Sequence, residues 1–231
     1  MSLDSFASRH VVVTGAAGAL GGAVAAVLVR AGAVVHAPIR SATPSLAARI
    51  DGVHYVGGVD LLDESSVAGF YADLPRVDAS LHAAGGFAMA PLLETSAADV
   101  RAQFDRNALT CLLCCREAAR AIRRHGQGGH LVNVTARPAL QPVGGMVAYS
   151  AAKAAVVSIT QSLAAELLAD GILVNAVAPS LFDTPANRAA MPDADHALWP
   201  SAEDVAAAIV ALASPNNRVT SGAVVPVYGR M

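Results

Sequence analysis

Lysine is nearly missing from this chain. Of 16 basic residues Lys153 is the single lysine, and the rest are arginine. Charge of either sign is scarce at 15%, hydrophobic residues make up 54%, and the net charge is −2. Such a composition excludes disorder. The near-neutral balance gives no electrostatic basis for binding nucleic acid or an anionic membrane. Cysteine is rare too: Cys111, Cys114 and Cys115 are the three, and all fall on one predicted helix. Their spacing suits no disulfide framework, and without a nearby histidine they make a poor zinc site. They are expected to be small buried apolar residues, with no metal bound.

A basic leader is lacking as well. Met1-Ser2-Leu3-Asp4-Ser5 has neither the positive start nor the apolar run of a signal peptide, so a cytoplasmic protein is expected. Residues 11–29 carry no charge and are long enough to span a bilayer. Gly15, Gly18, Gly21 and Gly22 interrupt that stretch, which divides instead into a strand, a tight turn and a helix. No membrane association is expected.

What the chain does have is alternation. Apolar runs of strand length are predicted at about 10–14, 33–38, 53–56, 78–83, 129–135, 172–177 and 223–227. Helical patterns fit between them at about 19–31, 43–49, 63–73, 96–124, 146–169 and 202–213. The strands are continuous apolar runs such as Val11-Val12-Val13, which indicates burial on both faces. Right-handed crossovers between seven such strands give a doubly wound parallel sheet with helices on both faces. No repeat, linker or boundary breaks residues 1–231, so one domain is expected. The long aperiodic segment at 180–200 reads as a functional lid.

Two local patterns carry chemistry. Val11-Val12-Val13-Thr14-Gly15-Ala16-Ala17-Gly18-Ala19-Leu20-Gly21 is a strand entering a glycine turn and then a helix. That arrangement lets backbone approach a pyrophosphate and offers it the free N–H groups of a helix start. Its bland alternative is a turn needed only for packing. Far downstream, Lys153 follows Tyr149 by four residues. On a helix the two share a face. An ammonium beside a phenol favours the phenolate and draws its pKa down toward neutrality. Such a tyrosine can exchange protons near pH 7. The alternative is an ordinary polar helix face.

Thr14-Gly15, Gly21 and Tyr149-x-x-x-Lys153 together resemble the short-chain dehydrogenase/reductase family over nearly the entire chain. The resemblance implies a single-domain Rossmann fold, a bound NAD(P), and a hydride transfer with Tyr149 as proton donor. Lys153 would lower the tyrosine pKa and bind the nicotinamide ribose. Asn107, mid-helix, would distort its helix and hold a water linked to the lysine. Gly15, Ala17, Gly18, Ala19 and Leu20 would cradle the pyrophosphate. Ala19 stands where the usual family turn has glycine. Asp60 and Leu61 would meet the adenine, although Asp60 also reads as an N-cap. Ala84 and Gly85 would let backbone approach the cofactor, and His82 stands in a segment where relatives have asparagines. Pro179 and Thr184 would contact the carboxamide. The position that is acidic in NAD-preferring relatives is Ile39, followed by Arg40 and Ser41, which favours NADP(H) over NAD(H).

The family's catalytic serine, thirteen residues before the tyrosine, is Ala136 here. Thr135 is a hydroxyl one residue early, and adjacent strand residues face opposite ways. The dihydropteridine reductase branch lacks that serine in the same way. The segment Phe182-Asp183-Thr184-Pro185-Ala186-Asn187-Arg188, with Met191-Pro192 and Trp199, is similar to that branch, as is Gly144-Gly145-Met146. A quinonoid C=N or other conjugated substrate is therefore expected. A classical ketone or 3-oxoacyl reductase and a non-catalytic redox sensor are the alternatives. Met191 and Trp199 read either as a lid over a flat substrate or as packing residues. The family's habit implies a homodimer or homotetramer.

Overall fold

The computed structural model describes residues 6–43, 45 and 49–230. Seven strands form one sheet: β1 (His10–Thr14), β2 (Val34–Pro38), β3 (Val53–Val56), β4 (Ala79–His82), β5 (Gly129–Val134), β6 (Ile172–Pro179) and β7 (Val224–Val227). Every pairing is parallel, in the order β3-β2-β1-β4-β5-β6-β7. The order reverses between β1 and β4, which is where such sheets open a crevice for ligands at the carboxyl ends of the strands.

The helices are α1 (Ala19–Arg30), α2 (Glu64–Ala72), α3 (Ala97–Phe104), α4 (Thr110–Arg123), α5 (Arg137–Leu140), α6 (Val147–Glu166), α7 (Pro185–Ala190) and α8 (Ala202–Leu212). Side chains alternate across each strand, so β1 feeds two cores. Val11 and Val13 pack with Val24, Leu28, Val205 and Ile209 of α1 and α8. Val12 faces the other layer, with Val67 and Phe70 of α2, Leu113 of α4 and Val156 of α6. Ser96 with Asp99 and Ser201 with Asp204 form capping boxes at α3 and α8, satisfying backbone donors that a helix start leaves free.

The strand predictions hold to within two residues at each end, and two helix predictions and the segment expected to be aperiodic need correction. The helix expected at 96–124 is two, α3 and α4, joined by a π-helical turn at Asp105–Leu109. The helix expected at 146–169 closes at Glu166. The helix expected at 43–49 lies mostly outside the described residues, and 43, 45 and 49 are not helical. The segment 180–200 is not aperiodic: α7, capped by Thr184, and a short turn at His196–Leu198 occupy it. Trp199 packs against the His196 ring at 4.5 Å, tilted by 52°, and is 8% exposed, so it is a packing residue rather than part of a lid. Among the described residues no helix is long and apolar enough to cross a membrane.

Candidate active site

Gly15 has φ +73°, a conformation that glycine adopts without strain. A Cβ there would stand 2.8 Å from the Ala84 nitrogen. The turn after β1 therefore lies directly on the loop after β4, and Thr14 Oγ1 accepts a hydrogen bond from Ala84 N at 3.1 Å. The start of α1 is capped by no side chain, since Gly18 stands at the N-cap. Ala17, Gly18 and Ala19 are exposed there, so the methyl group of Ala19 is accommodated by solvent. Leu20 turns its side chain into the core and offers only backbone. A Cβ on Gly21 would come within 2.2 Å of Gly15 O. Gly21→Ala is expected to push the turn open. It should lower stability by about 1–3 kcal/mol and weaken dinucleotide binding, read from denaturant midpoints and a fluorescence titration. An unchanged affinity would show that the turn does not shape the site.

Asn107 sits at the centre of the π turn and is 1% exposed. Its amide donates to Gly86 O at 3.0 Å and Gln103 O at 2.9 Å, and its oxygen accepts from Gly86 N at 3.2 Å. This reciprocal clamp ties the widened helix to the loop after β4. Asn107 is therefore no exposed polar residue on a helix face. A Cβ on Gly85 would lie 2.8 Å from Asn107 Oδ1 and 3.4 Å from Lys153 Nζ. Gly85 is thus the gap in which the amide and the ammonium approach each other.

Tyr149 and Lys153 both belong to α6, one turn apart. Lys153 is buried, and Nζ donates to Val134 O at 2.9 Å. Burial pushes its pKa down to about 8. Burial likewise pushes Tyr149 up to about 12. This corrects the expectation that the pair by itself brings the phenol toward neutrality. The ammonium is turned to the end of β5, 6.0 Å from the centre of the tyrosine ring, and loss of water outweighs it.

Thr135 is corrected as well. Its hydroxyl is buried and donates to Lys153 O at 2.7 Å, so it anchors α6 instead of facing a substrate. Ala136 is the N-cap of α5 and supplies no hydroxyl. Phe87, which sequence reasoning passed over, meets the Tyr149 ring edge-on at 4.9 Å. The methyl end of Met89 lies near Gly145, where a Cβ would meet it at 3.6 Å. Nothing in the spacing of residues 87–89 announces this contact, since the topology alone brings them to α6.

At the far end of the crevice Arg40 is 80% exposed, with Nη2 3.9 Å from Asp60 Oδ1. Ser41 Oγ donates to Thr43 O. Asp60 is not the helix cap. That role falls to Asp63, whose carboxylate accepts from Ser66 N, while Asp60 accepts from Leu62 N. Leu61 is half-buried against the α2 side of the core. Pro179 ends β6 and is buried, and Thr184 Oγ1 accepts from Asn187 N as the cap of α7. His82 and the cysteines, expected to be unrelated, are neighbours: His82 Nδ1 lies 3.4 Å from Cys115 Sγ.

A glycine turn that opens a helix at the switch point of a parallel sheet is the arrangement in which such folds bind dinucleotides, and the helix of Tyr149 and Lys153 reaches the loop after β4 on which that turn lies. The sequence profile described as short chain dehydrogenase matches residues 9–195, and the chain belongs to that family. It is 34% identical to the cis-4-hydroxycyclohexanecarboxylate dehydrogenase of Sinomonas cyclohexanicum, over 98% of this chain and 97% of that protein. It is 33% identical to the uncharacterized oxidoreductase YohF of Escherichia coli over 157 residues, 64% of this chain and 62% of that protein. A short-chain type dehydrogenase/reductase from Mycobacterium ulcerans superposes with a TM-score of 0.88 at 28% identity, covering 97% of this chain and 90% of that one.

Proposed function

We propose that this short-chain dehydrogenase is an NAD(P)H-dependent reductase acting on a C=O or conjugated C=N carbon, with Tyr149 as the proton donor. The observation that carries the proposal is the convergence of Tyr149, Lys153, Asn107 and Gly85 beside the glycine turn. The residues fit a dinucleotide: the turn has no room for a Cβ at Gly15, and the helix start beside it is uncapped. Backbone of Gly15, Ala17, Gly18, Ala19 and Leu20 would hold the pyrophosphate. Ala84 and Gly85 would let the nicotinamide half approach, with Pro179 and Thr184 at its carboxamide. Asp60 and Leu61 would flank the adenine. Arg40 and Ser41 would take a 2′-phosphate, so NADP(H) is preferred to NAD(H). When bound, the nicotinamide supplies a hydride from C4.

The chain's own groups do the rest. Lys153 makes one side-chain hydrogen bond, to Val134 O, and has further protons for ribose hydroxyls. Tyr149, protonated throughout the neutral range, gives its proton to the substrate heteroatom. Since no hydroxyl stands at 136 and Thr135 is turned away, the substrate must be electrophilic without serine's help. A quinonoid dihydropteridine or related flat conjugated compound meets that need, and Phe87 and Met89 would pack on its face. A cyclic ketone is the second reading, favoured by the similarity to a dehydrogenase named for a cyclic hydroxy acid. The proposed assembly is a homodimer or homotetramer through α3–α4 and α6. Phe104, Leu109 and Leu112 are partly exposed on the first of these.

Oxidation of NADPH and NADH, followed against quinonoid dihydropterin, cyclic ketones and quinones, tests the substrate reading. Cofactor binding with no turnover on any of them would leave a redox-sensing protein instead. The two directions should also differ in pH dependence. With Tyr149 at about 12, alcohol oxidation needs a proton removed and should accelerate as pH rises. Reduction should hold through neutrality and weaken as Lys153 loses its charge near 8. Identical profiles in both directions would remove Tyr149 from the proton path.

A further inference from the structure

We infer that His82, Cys111 and Cys115 form a buried site for a soft divalent metal such as zinc, behind the loop that meets the cofactor. The three ligand atoms lie within 4.8 Å of one another, and all three residues are buried. Cys111 and Cys115 are one turn apart on α4, and His82 ends β4. A tetrahedral ion with ordinary Zn–S and Zn–N bonds separates sulfur from nitrogen by about 3.5 Å. The Cys115 Sγ to His82 Nδ1 distance is 3.4 Å. Asn133 Oδ1, on β5, is the nearest further donor, 3.3 Å from Cys115 Sγ; its 2.8 Å hydrogen bond to His82 Nδ1 must open to about 3.3 Å for both to bind one ion.

Charge favours the same reading. Two thiolates and one divalent ion form a neutral unit, the only form of that charge that an apolar interior accepts readily. Binding releases the two thiol protons to solvent. The ring of His82 must then carry its proton on Nε2, which lies 2.9 Å from Ser80 Oγ. Ser80 Oγ is in turn 2.8 Å from Tyr71 OH, and either hydroxyl can donate. Reversing these two rotors frees Nδ1 for the metal and leaves Nε2–H with an acceptor, the support that metal-bound histidines usually have. Without metal the same atoms satisfy one another, since Nδ1–H and the Cys115 thiol can both donate to Asn133 Oδ1. The site is therefore loadable rather than obligatory. Loading would staple α4 to β4 and β5, two residues before Ala84 and one before Val134.

The full-length chain, expressed in cobalt-supplemented medium, tests this. The expected result is about one cobalt per chain by mass spectrometry, with an intense near-ultraviolet thiolate-to-Co(II) absorption. Zinc should displace it. Cys111→Ala and Cys115→Ala should each lose most of the absorption, whereas Cys114→Ala should keep it. Retention in the Cys111→Ala/Cys115→Ala double variant overturns the site. A wild type with no thiolate-to-cobalt absorption overturns it as well, whatever the folding of the variants.

Discussion

Tyr149→Phe should reduce turnover by about 10³-fold while dinucleotide affinity stays within about twofold. The substitution removes one oxygen and keeps the ring, so the edge-on contact with Phe87 at 4.9 Å survives. The loss should fall on kcat more than on KM, because the proton is needed only as charge develops on the substrate heteroatom. Neither residue 135 nor residue 136 can substitute. Thr135 Oγ1 is committed to Lys153 O, and Ala136 has no side-chain donor. Stability should stay level or rise slightly, since a half-buried hydroxyl is exchanged for hydrogen. The checks are steady-state kinetics with the preferred substrate and a cofactor titration by fluorescence. A variant with more than a tenth of wild-type turnover would remove the tyrosine from the proton transfer.

The parallel sheet was legible because buried parallel strands are written as unbroken valine runs, and Val11-Val12-Val13 is one. The glycine turn was legible because only glycine fits at Gly15 and Gly21. Asn107 was found through the family resemblance, but the π turn around it follows from its clamp on Gly86, a contact between residues 21 apart. What could not be read from the sequence depends on such distant contacts. His82 and Cys115 are 33 residues apart and meet only because β4 lies beneath α4. The shift of Tyr149 upward, rather than toward neutrality, is decided by where Nζ points and how much water remains. A spacing of four fixes neither. The Thr135 hydroxyl faces α6 because the strand geometry ends just before it, and residue identity could not reveal that.

Lys153→Met should abolish turnover and yet stabilise the cofactor-free chain at neutral pH. The folded pKa of Lys153 is pushed down to about 8 from 10.5 by burial, so the fold binds its proton less tightly than the unfolded chain does. Below about 8 the charged form is present in both states, and folding carries the full penalty, on the order of 3 kcal/mol. Between about 8 and 10.5 the unfolded chain holds more protons, so wild-type stability rises with pH and the penalty fades. Methionine fills a similar volume without charge. It forfeits the bond to Val134 O, which costs about 1–2 kcal/mol by leaving a buried carbonyl unpaired. The net gain should be about 1–2 kcal/mol near pH 7, shrinking to nothing or reversing as pH approaches the unfolded lysine value. Urea midpoints of wild type and variant across that pH range measure it. A variant less stable than wild type at neutral pH, with a difference independent of pH, would show that the ammonium is not strained. The only lysine of the chain would then be held for packing. A stabilised but inactive variant would instead mark it as a charge kept, against the preference of the fold, for chemistry that needs a cation beside the tyrosine and the ribose.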